Sequence, residues 1–141
     1  MKKIKVIVKR PFEPFEIMEI ERSLESYYQV IGCECIGATN ITKDVQMIYD
    51  DEYLLNRSIP NLSYRDPHVN HIICGTVIFA GIEEGETISL VDAETVKMQL
   101  EILFRSFNEV ESKKENHEDY ISVTIVSPCH FKVEDINVRR R

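Results

Sequence analysis

HIICGTVIFAGIEEGETISL, residues His71 to Leu90, is the stretch on which the fold turns. Ile72, Ile73, Val77, Ile78 and Phe79 make a nearly continuous apolar run around Gly75. A run of this kind, bounded by turn formers, predicts a central strand buried on both faces. Gly81 closes that strand, and Glu83-Glu84-Gly85-Glu86 reads as an acidic turn. Ser89-Leu90-Val91-Asp92 then reads as the lead-in to a helix. The segment organises an α+β core and carries no catalytic machinery.

Working outward toward the N-terminus, Ile4, Val6 and Val8 alternate with Lys3, Lys5 and Lys9, the period of a half-buried strand. Pro11 and Pro14 mark a turn, and Phe15 to Ile20 predicts a second strand paired to the first as a hairpin. Ser23 can cap a helix whose apolar face is Leu24, Tyr27, Tyr28 and Ile31, and Gly32 ends it. Cys33 to Ala38 predicts a third strand and Val45, Met47 and Tyr49 a fourth, joined by the polar turn Thr39 to Asp44. Asp50 to Asn70 shows no period and is rich in turn formers, so it reads as a long loop.

Toward the C-terminus, Val96, Leu100, Leu103, Phe104 and Phe107 share one face of a helix expected from Asp92 to Glu109. Ser112 to Asp119 is polar and reads as a connector. Ile121, Val123 and Ile125 alternate in a further strand, Phe131 to Ile136 reads as another, and Arg139-Arg140-Arg141 as a frayed end. The expected architecture is α+β: a mixed, mainly antiparallel sheet with two helices packed on one face. Residues 1–110 form the core domain and residues 111–141 an extension with one or two strands, part of the same globule.

The 141 residues suffice for one domain with a real core. Hydrophobic content of 43% with 29% charged residues is that of a soluble protein, and no window approaches a membrane span of roughly 18 apolar residues. The basic N-terminus leads into a short alternating strand rather than a signal sequence, so the expected location is the cytoplasm. A net charge of −7 argues against direct nucleic-acid binding, which needs a basic face to displace counterions. The acids fall at Asp50-Asp51-Glu52, Glu83 to Glu86 and Glu109 to Asp119. Such dispersal favours a solvated surface over the continuous stripe that a DNA mimic needs.

Residues from about Lys3 to Phe107 also resemble a small domain family of unknown function found on phages, plasmids and integrated elements of Gram-positive bacteria. The matching text is IKVIVKRPFEPFEIMEIERSLESYYQVIG, then Asn56-Arg57-Ser58-Ile59-Pro60-Asn61, Arg65-Asp66, Ile72-Ile73-Cys74-Gly75-Thr76 and Ser89-Leu90. Leu62 stands where members often carry Arg, and the chain after Glu109 departs from the pattern. The resemblance implies an accessory protein of a mobile element, in the cytoplasm of a bacterial host, and implies no chemistry.

The chemistry is therefore weighed from residues. Four cysteines without a secretory signal predict free thiols. Cys33-x-Cys35 and His71-x-x-Cys74 invite a zinc reading, with His68 and Cys129-His130 beside them, but no second Cys-x-x-Cys knuckle completes it. Packed thiols are the favoured reading, with no metal and no cofactor expected. Cys129 and His130 are neighbours on a strand and face opposite ways, so they cannot pair as nucleophile and base with each other, although another histidine could reach Cys129 in the fold. Gly81 and Gly85 match neither phosphate-loop spacing. An enzyme is not expected.

The loop from Tyr53 to His71 is the site candidate, with Asn56, Arg57, Asn61, Tyr64, Arg65 and His71 as ligand-binding residues. Arg57 and Arg65 could hold a phosphate and Tyr64 could stack on a base. Turn chemistry alone explains most of these residue types and is the favoured account of them. The expected function is non-catalytic binding for a mobile element, by sequestering a nucleotide-like ligand across an oligomer interface or otherwise countering a host defence or regulatory system. The alternatives are an inhibitor that occludes a host protein, including a DNA-mimic mode, and a small enzyme of unknown reaction.

Overall fold

The computed structural model describes residues 2–53, 56, 58–65 and 70–107, with the backbone alone at residues 65 and 70. The helix residues expected beyond 107, both C-terminal strands and the division at residue 111 lie outside the described residues.

The N-terminal third follows the sequence pattern. Strand β1 (Lys3–Lys9) alternates only as far as Val6, is buried throughout from Val6 to Lys9, and pairs antiparallel with β2 (Glu16–Glu21) from Lys3↔Glu21 to Val8↔Glu16. Helix α1 (Leu24–Ile31) starts at Ser23, whose side chain accepts from the Ser26 N–H. It stops at Gly32, held at φ 80°, whose N–H donates to the Tyr28 carbonyl. A left-handed residue of this kind is the usual glycine stop. Strand β3 (Ile36–Asn40) begins later than expected: Cys33 to Cys35 precede it in a turn. It forms a hairpin with β4 (Val45–Asp50).

The apolar run around Gly75 is not one strand. β6 (Asn70–Cys74) and β7 (Val77–Glu83) lie in different sheets, and the chain switches between them at Gly75, φ +77°. A side chain disfavours that conformation, and a Cβ there would stand 3.2 Å from Ser58 Cβ. β7 passes through Gly81 and turns at Glu84-Gly85, both at positive φ, into β8 (Glu86–Ile88). The expected long loop contains a strand, β5 (Pro60–Arg65), with a register shift between Pro60 and Leu62. Helix α2 (Ala93–Leu103) is shorter than expected and gives way to β9 (Arg105–Ser106).

The larger sheet runs β2-β1-β7-β4-β3 with β8 against the end of β7, and the smaller runs β6-β5-β9. Every ladder between described strands is antiparallel. The α+β class and mainly antiparallel pairing hold. The helices, however, take opposite faces of the larger sheet.

On one face Tyr27 of α1 packs with Ile4, Val6, Val8, Ile48 and Ile78. On the other, Ala93, Leu100 and Phe104 join Ile7, Met47 and Phe79 with Leu62, Tyr64 and Ile73 of the smaller sheet. Both faces of β1, β4 and β7 are therefore buried, as the apolar run at Val77 to Phe79 predicts. The smaller sheet is laid over the α2 face. Its other side forms a separate cluster of Tyr53, Ile72, Cys74 and Phe107. Among the described residues, no helix is long and apolar enough to cross a membrane.

Candidate binding cleft and the Lys9–Asn61 pair

Asn61 is fully buried near the start of β5, where it ties three segments together. Its amide nitrogen donates to the carbonyls of Lys9 (2.8 Å) and Gly75 (2.7 Å), and its Oδ1 accepts from Lys9 Nζ at 2.7 Å. Lys9 closes β1 beside Val77, is itself 0% exposed, and donates a second bond to the Arg10 carbonyl at 2.9 Å. The Phe15 ring centroid lies 6.0 Å from its ammonium. Desolvation brings the Lys9 pKa down to about 8, with Glu13 opposing the drop. Asn61 therefore joins β1, β5 and the Gly75 switch between the sheets, and it solvates a buried cation.

Tyr64 and His71 are a cross-strand pair, both buried, with rings stacked at 6.1 Å and 27°. Tyr64 also meets Phe104 edge-on in the core. Asn56 is exposed and donates to Asp50 Oδ2 at 2.7 Å, and Asp50 Oδ1 accepts the Glu52 N–H. These bonds clasp the loop to the end of β4. Arg57 lies outside the described residues, as does the side chain of Arg65, whose backbone stands opposite Asn70. The four candidate residues whose side chains are described, Asn56, Asn61, Tyr64 and His71, are thus distributed between core, hinge and clasp. His68, Cys129 and His130 also lie outside the described residues.

Among the described residues, Cys33, Cys35, Cys74 and His71 do not assemble. Alternation along β6 sends His71 and Ile73 toward the main core and Ile72 and Cys74 to the opposite face. Cys33 is buried and Cys35 exposed. Burial pushes the Cys33 thiol up and Asp50 adds to the shift. Desolvation, then Glu52, Asp51 and Asp50, push up Cys35. Both shifts disfavour the thiolate that metal binding and nucleophilic attack require. No group of three potential ligands occurs among the described residues.

A concave site does exist elsewhere. A cleft of about 530 Å³ opens between the β3–β4 turn, the β7–β8 hairpin and the start of α2. Val45 and Leu90 give it an apolar floor, and Asp44, Glu83 and Asp92 line it with carboxylates, while no Lys, Arg or His is among its lining residues. Backbone bonds frame it: Ile82 N–H donates to Asp44 O (3.1 Å) and Leu90 N–H to Lys5 O (2.9 Å). Asp92, at φ 55°, caps α2 by accepting from Thr95 N–H and Thr95 Oγ1. Val91 is 81% exposed at the rim, and Met98 and Ile102 on α2 are 62% and 74% exposed.

Sequence reasoning flagged the acids of the hairpin but not the cleft, because Asp44 and Asp92 reach it only through the fold. Lys9 was missed as well. In sequence it is one more lysine of an alternating strand, and buried lysines are rare.

The described residues form an antiparallel α+β domain with an acidic, partly apolar cleft. The match with known families narrows this: residues 4–102 fit the model of a domain of unknown function, DUF3846, and the chain belongs to that family. Searches of curated proteins and of solved structures return no match.

Proposed function

We propose that this chain is a non-catalytic binding protein that occludes a partner protein. The partner offers a segment of basic and apolar side chains to the cleft between the β7–β8 hairpin and α2. The observation that carries the reading is the lining of that cleft, with Asp44, Glu83 and Asp92 as its charged groups and no Lys, Arg or His among the described residues that line it. Such a surface attracts ammonium or guanidinium groups and repels phosphate. The exposed Val91 adds an apolar side chain to its lining, where an aliphatic side chain gains by leaving water.

The setting we propose is a mobile genetic element, with the partner a component of a host defence or regulatory system. This favours the inhibitor reading over nucleotide sequestration. Asn61, Tyr64 and His71, three residues assigned to the nucleotide, are buried and engaged with the protein itself.

The test is affinity capture from bacterial lysate with the parent chain and an Asp44→Lys/Glu83→Lys double variant. A protein retained by the parent at low salt, weakened at high salt and lost with the variant supports the reading. Equal retention by both chains refutes it.

A further inference from the structure

The outer strand of the larger sheet, β3, has a single strand neighbour among the described residues, β4. Asp51 N–H donates to Cys35 O at 3.0 Å and Ile41 N–H to Val45 O at 2.8 Å, and both pairs continue the β3–β4 register. Alternation in an antiparallel ladder then turns the peptide groups of Gly37 and Thr39 toward β4 and those of Ile36, Ala38 and Asn40 outward. The opposite edge of the sheet, β2, carries Glu16, Glu19 and Glu21, charges of the kind that discourage strand addition. β3 reads IGATN, with no charge and no proline, and its register with β4 is unbroken. Among the described residues, β3 thus carries neither the charges nor the proline that usually protect an edge.

We propose that β3 is a self-association edge, at which two copies of this chain pair antiparallel about a two-fold axis through Ala38. Ile36 of one copy then stands opposite Asn40 of the other, and Ala38 opposite Ala38. Each of these pairs exchanges both of its N–H···O bonds. Ala38 is small and exposed, so the axis meets no side-chain obstruction.

That self-complementarity favours a second copy over an unrelated peptide, because a two-fold interface must match itself. One five-residue strand buries less than the roughly 1,200 Å² of a stable interface. The dimer therefore depends on concentration and is not permanent.

The experiment is analytical ultracentrifugation of the full chain over a concentration series, with Ala38→Pro and Ala38→Lys alongside. Proline at 38 removes an N–H that faces away from β4, which an edge strand tolerates. Lysine sets two ammonium groups against each other at the axis and stands in if proline disturbs the fold. The expected result is a monomer–dimer equilibrium in the parent chain. Its association constant falls at least tenfold in Ala38→Lys, with the thermal melt unchanged. A parent chain that stays monomeric overturns the proposal, as does a dimer that Ala38→Lys leaves intact. Hydrogen exchange adds one further outcome: protection of the Ile36, Ala38 and Asn40 amides in a monomer means another segment fills the edge, which also overturns it.

Discussion

Lys9 Nζ and Asn61 Oδ1 lie 2.7 Å apart, and neither residue has any solvent exposure. This contact joins the end of β1 to β5 and, through the Asn61 amide, to the Gly75 carbonyl where the chain changes sheets. It assigns Asn61 to the architecture. A cation with no water around it depends on each acceptor it keeps, so the pair is a point of high energetic leverage.

Replacing Asn61 with Leu removes one acceptor from a buried ammonium and two donors from buried carbonyls. The expected cost is about 3 kcal/mol or more in denaturant unfolding at neutral pH. A change below about 0.5 kcal/mol, the range of an ordinary surface substitution, would contradict the assignment.

The lowered Lys9 pKa makes a signed prediction. Between about 8 and the ordinary 10.5 the unfolded chain holds the Lys9 proton and the folded chain releases it. Stability from this group therefore rises as pH increases through that window, by at most about 3 kcal/mol. Tyr27, Cys33 and Cys35 have raised pKa values and act in the opposite direction at high pH. The comparison with Lys9→Met cancels them. Denaturation at several pH values should show the parent gaining stability relative to Lys9→Met as the solution becomes alkaline, and a parallel pair of curves would count against a buried, protonated Lys9.

Gly75 permits the change of sheet because its φ of +77° suits a residue without a Cβ. Gly75→Ala should cost about 1–2 kcal/mol from backbone strain, with contact against Ser58 added to it. A thermal melt that matches the parent would show that the chain passes Gly75 in another conformation.

Much of the fold is legible locally. The Lys3–Val6 alternation, the Ser23 cap and the Gly32 stop act over a few residues, and each matches its element. The run at Ile72 to Phe79 misleads because burial on both faces looks alike in one strand or in two strands of different sheets. The dihedral angle at Gly75 that separates them leaves no periodic trace.

β5 was hidden by Pro60 and Asn61, turn formers that here occupy a strand start with a register shift. The apolar faces of α1 and α2 are evident from spacing, but spacing says nothing about which side of a sheet each covers. The candidate loop is only partly legible for a related reason: Asn61, Tyr64 and His71 have polar groups suited to a ligand, and only the fold reveals that they are buried, while Arg57 and the Arg65 side chain lie outside the described residues.

The most direct test of the account compares what is captured by three chains of matched thermal stability: the parent, Asp44→Lys/Glu83→Lys, and Arg57→Ala. The account predicts that a partner bound by the parent is retained by Arg57→Ala and lost by the charge-reversed chain. Loss with Arg57→Ala and retention with Asp44→Lys/Glu83→Lys would contradict it and return the binding site to the loop before β5.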